Sequence, residues 1–239
     1  GPVTLLALDT ATPQIGVALV GDDGLLVATR IAGGRRHGEL LAPTIVAALE
    51  TAGLTMADLT AVAVDVGPGL FTGLRVGLAT AQALVAALRI PAFGVTSLEA
   101  LAHPHRREPG HVAAVVDARR HEVFRAIYAP VGGALVEVAA PEVCTPAALA
   151  EELTDLVAAG GAPVLAVGDG ARRYAGVLLA PGVDVGGRLD AHPDPAVVAE
   201  LATGREPVGA GGLRPLYLRQ ADVRIGWEQR PAPSGAVGG

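Results

Sequence analysis

Residues 67–77, GPGLFTGLRVG, have the clearest chemical potential in this chain. They follow the apolar, β-branched run at 62–66, which is typical of a strand covered on both faces, and their glycines permit a tight turn into a helix. The first turn of a helix has free N–H groups that can bind an anion. Arg75 lies in or near that turn, where its charge opposes the helix dipole unless an anion, a carboxylate or a partner surface offsets it. The alternative is that Arg75 points into solvent.

Small residues form a stripe along the helix that follows, because Gly73, Gly77 and Ala81 recur at four-residue spacing and therefore share one face. Glycine inside a helix costs about 1 kcal/mol relative to alanine. The close approach of another backbone would offset that cost. Two candidates for this backbone stay open, namely the protein's own sheet and a second subunit.

The composition excludes several classes of function. The 239 residues have a formal net charge of −6, and all 18 basic residues are Arg. Without Lys there is no Schiff-base or phosphate-loop lysine, and an acidic chain is a poor candidate for binding RNA alone. The single cysteine, Cys144, excludes an internal disulfide and a Cys-based zinc site and is typical of the reducing cytoplasm. Gln82, Arg89 and Pro91 interrupt the longest apolar helix, so we expect no membrane span.

The two halves of the chain repeat one order of predicted elements. In the first, strands at 5–9, 15–20 and 25–31 precede a helix at 39–52 and a strand at 62–66. In the second, strands at 112–116, 122–128 and 135–139 precede a helix at 146–158 and a strand at 164–167. Each half then continues with a Gly-x-Gly turn. The repeat predicts two ribonuclease H-like halves.

Five ordered segments resemble the TsaB (YeaZ) family of the actin/Hsp70/sugar-kinase superfamily. They are LLALDTAT at 5–12, His37-x-Glu39, the GPGLFTGLRVG segment, DARRHEV at 117–123 and PLYLR at 215–219. The family usually has Ser where this chain has Leu70 and Gly38. The resemblance implies an α/β fold of two ribonuclease H-like halves. It also implies a non-catalytic subunit that binds and activates a TsaD-like catalytic subunit in tRNA threonylcarbamoyladenosine synthesis.

The resemblance also implies a nucleotide site between the halves. Its residues would be Asp9, Thr10, Thr12 and Gly69, with Gly168, Asp169 and Gly170 from the second half. The competing interpretation is that Asp9 and Asp117 only end strands and cap turns. We expect no tightly bound cofactor, with ATP or ADP held, if at all, in the complex.

A helical interface with the partner is a further implication. It would comprise Leu41, Ile45, Leu49, Gly73, Leu74, Gly77, Leu78 and Ala81. A small TsaE-like ATPase would join the pair, tRNA would bind through the complex, and the chain alone would form a homodimer through the same apolar face. We therefore expect Gly77→Leu to weaken both dimers and to leave the monomer folded.

Catalytic groups are the weakest part of the pattern, and we predict no catalytic residue and no metal ligand. The catalytic relative has two histidines where this chain has Ser97 and Leu101, and leucine cannot bind a metal. His103, His105 and His111 lie in a Pro/Arg-rich connector that we interpret as an exposed linker. Two rival functions remain: a free-standing nucleotide-dependent kinase or hydrolase, and a metallopeptidase.

The expected domain division places the N-terminal half at 1–103 and the C-terminal half at 104–228, with a disordered tail at 229–239. The last helix, predicted at 194–202, could pack back on the first half. The expected location of the protein is the cytoplasm, without a membrane.

Overall fold

The first half of the computed structural model, which describes residues 3–218, is a five-stranded sheet with helices on both faces. Its strands are β1 (Thr4–Asp9), β2 (Gln14–Gly21), β3 (Gly24–Ala32), β4 (Ala61–Asp65) and β5 (Ala92–Val95). Its helices are α1 (His37–Ala52), α2 (Phe71–Leu88) and α3 (Ser97–Ala102).

The second half repeats this arrangement and adds three short helices. Its strands are β6 (His111–Arg119), β7 (Glu122–Val131), β8 (Ala134–Cys144), β9 (Val164–Val167) and β10 (Val183–Val185). Its helices are α4 (Pro146–Gly160), α5 (Asp169–Arg173), α6 (Ala175–Leu178) and α7 (Pro195–Ala202). Single 3₁₀ turns lie at Met56–Asp58, His103–His105, Arg188–Asp190 and Ala210–Gly212.

The two sheets have the same topology. The strand order is β3-β2-β1-β4-β5 in the first and β8-β7-β6-β9-β10 in the second. In each sheet the first three strands are antiparallel, and the last two run parallel to the first strand. The predicted fold of two ribonuclease H-like halves is therefore confirmed.

Helices cover both faces of the first sheet, which explains why β1 and β4 are buried along their whole length. Helices α1 and α2 pack on one face with Leu6, Leu8 and Val62. Helices α3 and α7 pack on the other face with Leu5 and Ala7. Although α7 follows the second half in sequence, it lies on the first sheet.

Helix α3 joins the two halves. Its Ala100 packs in the core of the first sheet, whereas its Leu98 and Leu101 pack against the second. A capping box fixes where it begins, because the Thr96 hydroxyl accepts from the Glu99 amide at 3.2 Å and the Glu99 carboxylate accepts from the Thr96 amide at 3.1 Å. The relative position of the two sheets therefore depends on a six-residue helix with a defined start.

The connector after α3 is anchored rather than fully exposed, which corrects one sequence interpretation. His103 Nε2 lies 3.0 Å from a Glu200 carboxylate oxygen on α7, and His105 Nε2 lies 3.4 Å from Asp190. These contacts bind the connector to segments on both sides of it. The division of the chain at residue 103 stays a prediction, and the predicted tail at 229–239 lies outside the described residues.

Helix α2 has the length and composition of a membrane span. Among residues 3–218 it is the one helix that passes that test, with 18 residues and a mean hydropathy of 1.4. One such helix is weak evidence for a membrane, because a core helix of a soluble protein passes the same test. Here α2 buries Leu74, Leu78 and Val85 against the first sheet.

Candidate functional site

The small-residue stripe of α2 contacts the β1–β2 loop of the same chain. A Cβ atom on Gly73 would lie 2.1 Å from the carbonyl oxygen of Thr10, and one on Gly77 would lie 2.3 Å from the Thr10 hydroxyl. The Thr10 hydroxyl donates a hydrogen bond to the Gly73 carbonyl at 2.7 Å. Of the two candidates that the sequence left open, the protein's own backbone is therefore the one that these glycines contact.

This packing changes the meaning of a substitution at Gly77. A leucine there would overlap the Thr10 side chain within the monomer. Gly77→Leu would therefore disturb the fold itself, and the expectation that the monomer stays intact does not hold.

The predicted interface residues are core residues. Leu41, Ile45 and Leu49 on α1 are 1–3% exposed. On α2, the remaining members are also buried, namely Gly73, Leu74, Gly77, Leu78 and Ala81. A buried side chain cannot contact a partner, so the structure corrects the set of residues that these two helices offer to one.

The outer faces of α1 and α2 form an exposed surface of small apolar residues. We call it the outer helical face and define it by Gly38, Ala42 and Val46 on α1 and Val76, Ala79 and Ala83 on α2. Five of the six are exposed, and Val76 is half-buried. The helices approach each other here, since a Cβ on Gly38 would lie 4.0 Å from the Val76 side chain.

Charge is absent from most of α2. No charged residue lies between Arg75 and Arg89, although Ala79, Ala83 and other alanines of the helix are exposed. Helices on the surface of a monomer normally carry charged residues on the outer face. An uncharged exposed face therefore indicates an interaction surface.

An aromatic and cationic cluster borders the first turn of α2. The guanidinium of Arg75 lies 3.7 Å from the centroid of the Phe71 ring, and the Tyr217 ring lies 5.9 Å from that of Phe71. The amide of Leu216 donates to the carbonyl of Val66, which ties the 215–218 segment to the end of β4. Arg75 is thus exposed and stacked on an aromatic ring, which the sequence alternatives did not include.

The predicted nucleotide residues come together but are closed to solvent. Asp9, Thr10 and Thr12 have no exposed surface. Gly69 is half-buried, and a Cβ on it would lie 2.2 Å from the carbonyl of Ala11. His37 Nε2 donates to the carbonyl of Thr12 at 2.8 Å and holds the loop closed. Contact of these residues with a nucleotide stays a prediction, and it would require the loop to open.

A buried carboxyl pair, Asp9 and Asp65, lies where β1 and β4 end. Asp9 accepts a hydrogen bond from the amide of Ala11 at 3.0 Å. Asp65 accepts from the amide of Gly67 and from the Ser97 hydroxyl, each at 2.7 Å. Both residues are 0% exposed, and the second oxygen of each has no other described donor. The pair therefore connects β1, the Gly67 turn and the first residue of α3.

Burial raises the pKa of both carboxyl groups. The Asp9 pKa lies well above its ordinary value, mainly because of desolvation and then because of the neighbouring Asp65 charge. Desolvation raises the pKa of Asp65 to about 6, and the hydrogen bond from Ser97 opposes the shift. Two adjacent carboxylates cannot both ionise cheaply, so Asp9 keeps its proton and shares it with Asp65 at neutral pH.

The corresponding loop of the second half carries the opposite charge. Asp117 pairs with Arg119 at 3.2 Å and with Arg173 at 3.3 Å. Its amide donates to Asp169 at 2.9 Å, and burial raises the pKa of Asp169 to about 6. The β6–β7 turn holds Arg119 and the two residues after it at φ values of 52° to 63°, which non-glycine residues rarely adopt.

Residues 3–218 contain no group of three His, Cys, Asp or Glu side chains placed to hold a metal. Ser97 is buried and bonds Asp65, and Leu101 lies in the core. Cys144 is half-buried, and burial raises the pKa of its thiol. None of the three is arranged as a nucleophile beside a general base.

Sequence reasoning missed Asp65, Phe71 and Tyr217. Asp65 had a usable signal, because a carboxylate at the end of an otherwise apolar strand must find a partner when buried. The contact between Phe71 and Tyr217 had none, since the two residues lie far apart in the chain.

Comparison with known proteins agrees with this geometry. The family model "TsaD: tRNA N6-adenosine threonylcarbamoyltransferase" matches residues 29–166, more than half of the chain. A solved structure, YeaZ from Pseudomonas aeruginosa, is 30% identical with a TM-score of 0.77, and the match covers 90% of this chain and 100% of that one. The chain belongs to the TsaB (YeaZ) family.

Two further relatives of this TsaB-family chain match over nearly their whole length. The Bacillus subtilis "tRNA threonylcarbamoyladenosine biosynthesis protein TsaB" is 29% identical over 94% of this chain and 98% of its own. An uncharacterized protein of Mycobacterium tuberculosis is 38% identical over 92% of this chain and 94% of its own.

Proposed function

We propose that this chain is a non-catalytic subunit of tRNA threonylcarbamoyladenosine synthesis that binds a TsaD-type catalytic subunit and is required for its activity. The observation that carries the proposal is the uncharged outer helical face, considered together with membership of the TsaB family. The catalytic chemistry would belong to the partner. The role of this chain would be to hold that partner in its active arrangement.

The outer helical face has the composition that a helix-to-helix interface needs. Gly38, Ala42, Ala79 and Ala83 have almost no side-chain thickness, so another helix can approach closely and bury its own larger side chains against them. Val46, which is 44% exposed, would lose its apolar surface to the partner. At one end, Phe71, Arg75 and Tyr217 supply the aromatic and Arg anchors that dominate binding energy at many interfaces.

The inaccessible carboxylates support a non-catalytic role. Asp9 is 0% exposed and bonds the protein's own backbone, so it is not available to a substrate or to a hydrated metal ion. A free-standing kinase or hydrolase of this fold would need that carboxylate in an open cleft. No described contact favours that rival.

The same face accounts for the remaining partners. Without the catalytic subunit, two copies of this chain would bury their outer helical faces against each other as a homodimer. The TsaE-type ATPase and tRNA would join the heterodimer, and tRNA would bind mainly to surfaces outside this acidic chain.

The decisive experiment measures threonylcarbamoyl transfer to tRNA by the cognate catalytic subunit and ATPase, with and without this chain. We expect transfer only when this chain is present, and none from this chain alone. Full activity in its absence would refute the proposal. Transfer by this chain alone would refute its non-catalytic part.

A surface variant tests the location of the interface. Ala83→Arg adds a long charged side chain to the outer helical face, and we expect it to abolish binding to the catalytic subunit and transfer activity. Ala158→Arg on α4 is the matched control, because it makes the same change at an exposed helical alanine of the other half. Equal binding by both variants would show that the partner binds elsewhere, provided that both unfold at the wild-type temperature.

A further inference from the structure

A cavity of about 520 Å³ lies between the two halves of the molecule, away from the outer helical face. The first half contributes the start of β2, the loop before α1 and the start of α2, and the second half contributes the β6–β7 turn. The lining residues are Pro13, Gly34, Arg35, His37, Leu70, Thr72, Gly73 and Arg119. A volume of this size is within the range of small-molecule sites.

The charge of this cavity is positive, although the whole chain is acidic. Arg35 and Arg119 line it from opposite halves, and none of the lining residues is Asp or Glu. The nearest carboxylate on the Arg119 side, Asp117, divides one oxygen between Arg119 at 3.2 Å and Arg173 at 3.3 Å. Arg35 has no carboxylate within 4.0 Å among residues 3–218. The guanidinium charge in the cavity is therefore only partly neutralised.

The start of α2 adds hydrogen-bond donors to the same cavity. The Leu74 amide makes the first intrahelical bond, to the Leu70 carbonyl, so the amides of residues 71–73 precede the helical hydrogen bonds. No side chain caps this end, and its first turn has no acidic residue. An 18-residue helix thus directs an uncompensated positive end toward the two arginines.

We propose that this cavity binds the phosphate groups of a small polyanion, such as a nucleotide di- or triphosphate. Arg35 and Arg119 would bind phosphate oxygens from opposite sides, because the planar guanidinium matches phosphate geometry. The amides of residues 71–73 would bind a third set of oxygens. The binding site differs from the nucleotide residues that the family resemblance implies, since Asp9, Thr10 and Thr12 are fully buried and line none of the cavity.

The proposal goes beyond the proposed function and would survive its failure, because the cavity and the outer helical face are separate surfaces. A bound polyanion would draw the β6–β7 turn toward α2 and so hold the two halves together. It would also cover Thr72, one turn before the first α2 residue of the outer helical face.

The test is calorimetric titration of the full chain with inorganic tripolyphosphate, ATP and adenosine. We expect tripolyphosphate and ATP to bind saturably below about 1 mM, more weakly as salt increases, and adenosine not to bind. Arg35→Gln and Arg119→Gln should each weaken tripolyphosphate binding about tenfold. Arg107→Gln is the control, since it removes the same charge from an exposed connector residue outside the cavity.

A second variant separates binding from folding. Thr72→Glu places a carboxylate in the cavity and near the start of α2, where it should stabilise the helix but abolish tripolyphosphate binding. Absence of tripolyphosphate binding by the wild type would overturn the proposal. So would Arg35→Gln or Thr72→Glu binding as tightly as Arg107→Gln, or adenosine binding as tightly as ATP. If a tRNA bound and tripolyphosphate did not, the cavity would not be the phosphate site.

Discussion

The buried pair of Asp9 and Asp65 should make the stability of this protein fall as pH rises, and Asp65→Asn should remove part of that dependence. The asparagine oxygen can still accept hydrogen bonds from the Gly67 amide and the Ser97 hydroxyl, both 2.7 Å from the present oxygen. Its amide nitrogen would face Asp9 in place of a charge. The substitution therefore keeps the shape of the site and removes one ionisation.

The magnitude follows from the two pKa values. Burial raises the pKa of Asp65 from 3.8 to about 6 in the folded protein. A folded pKa above the unfolded one means that the folded state binds the proton more tightly. Stability is therefore highest below the unfolded pKa and falls as pH rises through 6. A difference of about two pKa units corresponds to about 3 kcal/mol, which the wild type lacks above pH 7. Asp9 changes stability in the same direction, because its pKa is also raised.

Urea denaturation at a series of pH values between 5 and 8 measures this effect. Asp65→Asn should be more stable than wild type at pH 8, by up to about 3 kcal/mol, and the difference should shrink toward pH 5. Asp58→Asn is the control, because Asp58 is exposed and hydrogen bonds from Thr55 lower its pKa, so its loss should not raise stability at pH 8. The reasoning is refuted if Asp65→Asn leaves the pH dependence unchanged or is less stable than wild type at pH 8.

Three further predictions concern packing and a buried ion pair, and each is checked by urea denaturation at pH 7.5. Gly73→Ala should destabilise the protein by about 3 kcal/mol or more, because the added Cβ would lie 2.1 Å from a backbone carbonyl of the β1–β2 loop. Gly38→Ala, a helical glycine with 4.0 Å of space, should instead stabilise it by about 0.5–1 kcal/mol, and a loss would contradict the packing. Arg125→Met should cost about 2 kcal/mol, because the guanidinium bonds Glu142 at 2.8 Å and Glu152 at 2.9 Å; an unchanged midpoint would show that these bonds contribute nothing.

The repeated order of elements was predictable from sequence because each element has a local cause. Apolar strands such as Ala61–Asp65 lie in a sheet covered on both faces, and that environment requires a continuous apolar run. The helix from Pro146 begins after Thr145, whose hydroxyl accepts a hydrogen bond from the Ala148 amide at 3.2 Å. Periodicity and caps act over a few residues and can be read directly from the chain.

The site was only partly predictable. Sequence spacing placed Gly73, Gly77 and Ala81 on one face of a helix, and the structure confirms that they share a buried face. Which backbone that face contacts depends on how the β1–β2 loop folds toward it, and the loop is more than 60 residues away in the chain. The apolar residues of α1 carried the same ambiguity, since Leu41 could equally have faced a partner or the sheet.

What the sequence by itself determined is the two-half fold and its family, because both depend on local patterns and on motifs in a fixed order. Only the tertiary structure decided which residues are available to a ligand or a partner. It buried Asp9 against Asp65, turned the glycine stripe inward, and brought Arg35 and Arg119 to one cavity from opposite halves. The physical reason is that burial and charge proximity arise from contacts between residues distant in sequence, which no local pattern specifies.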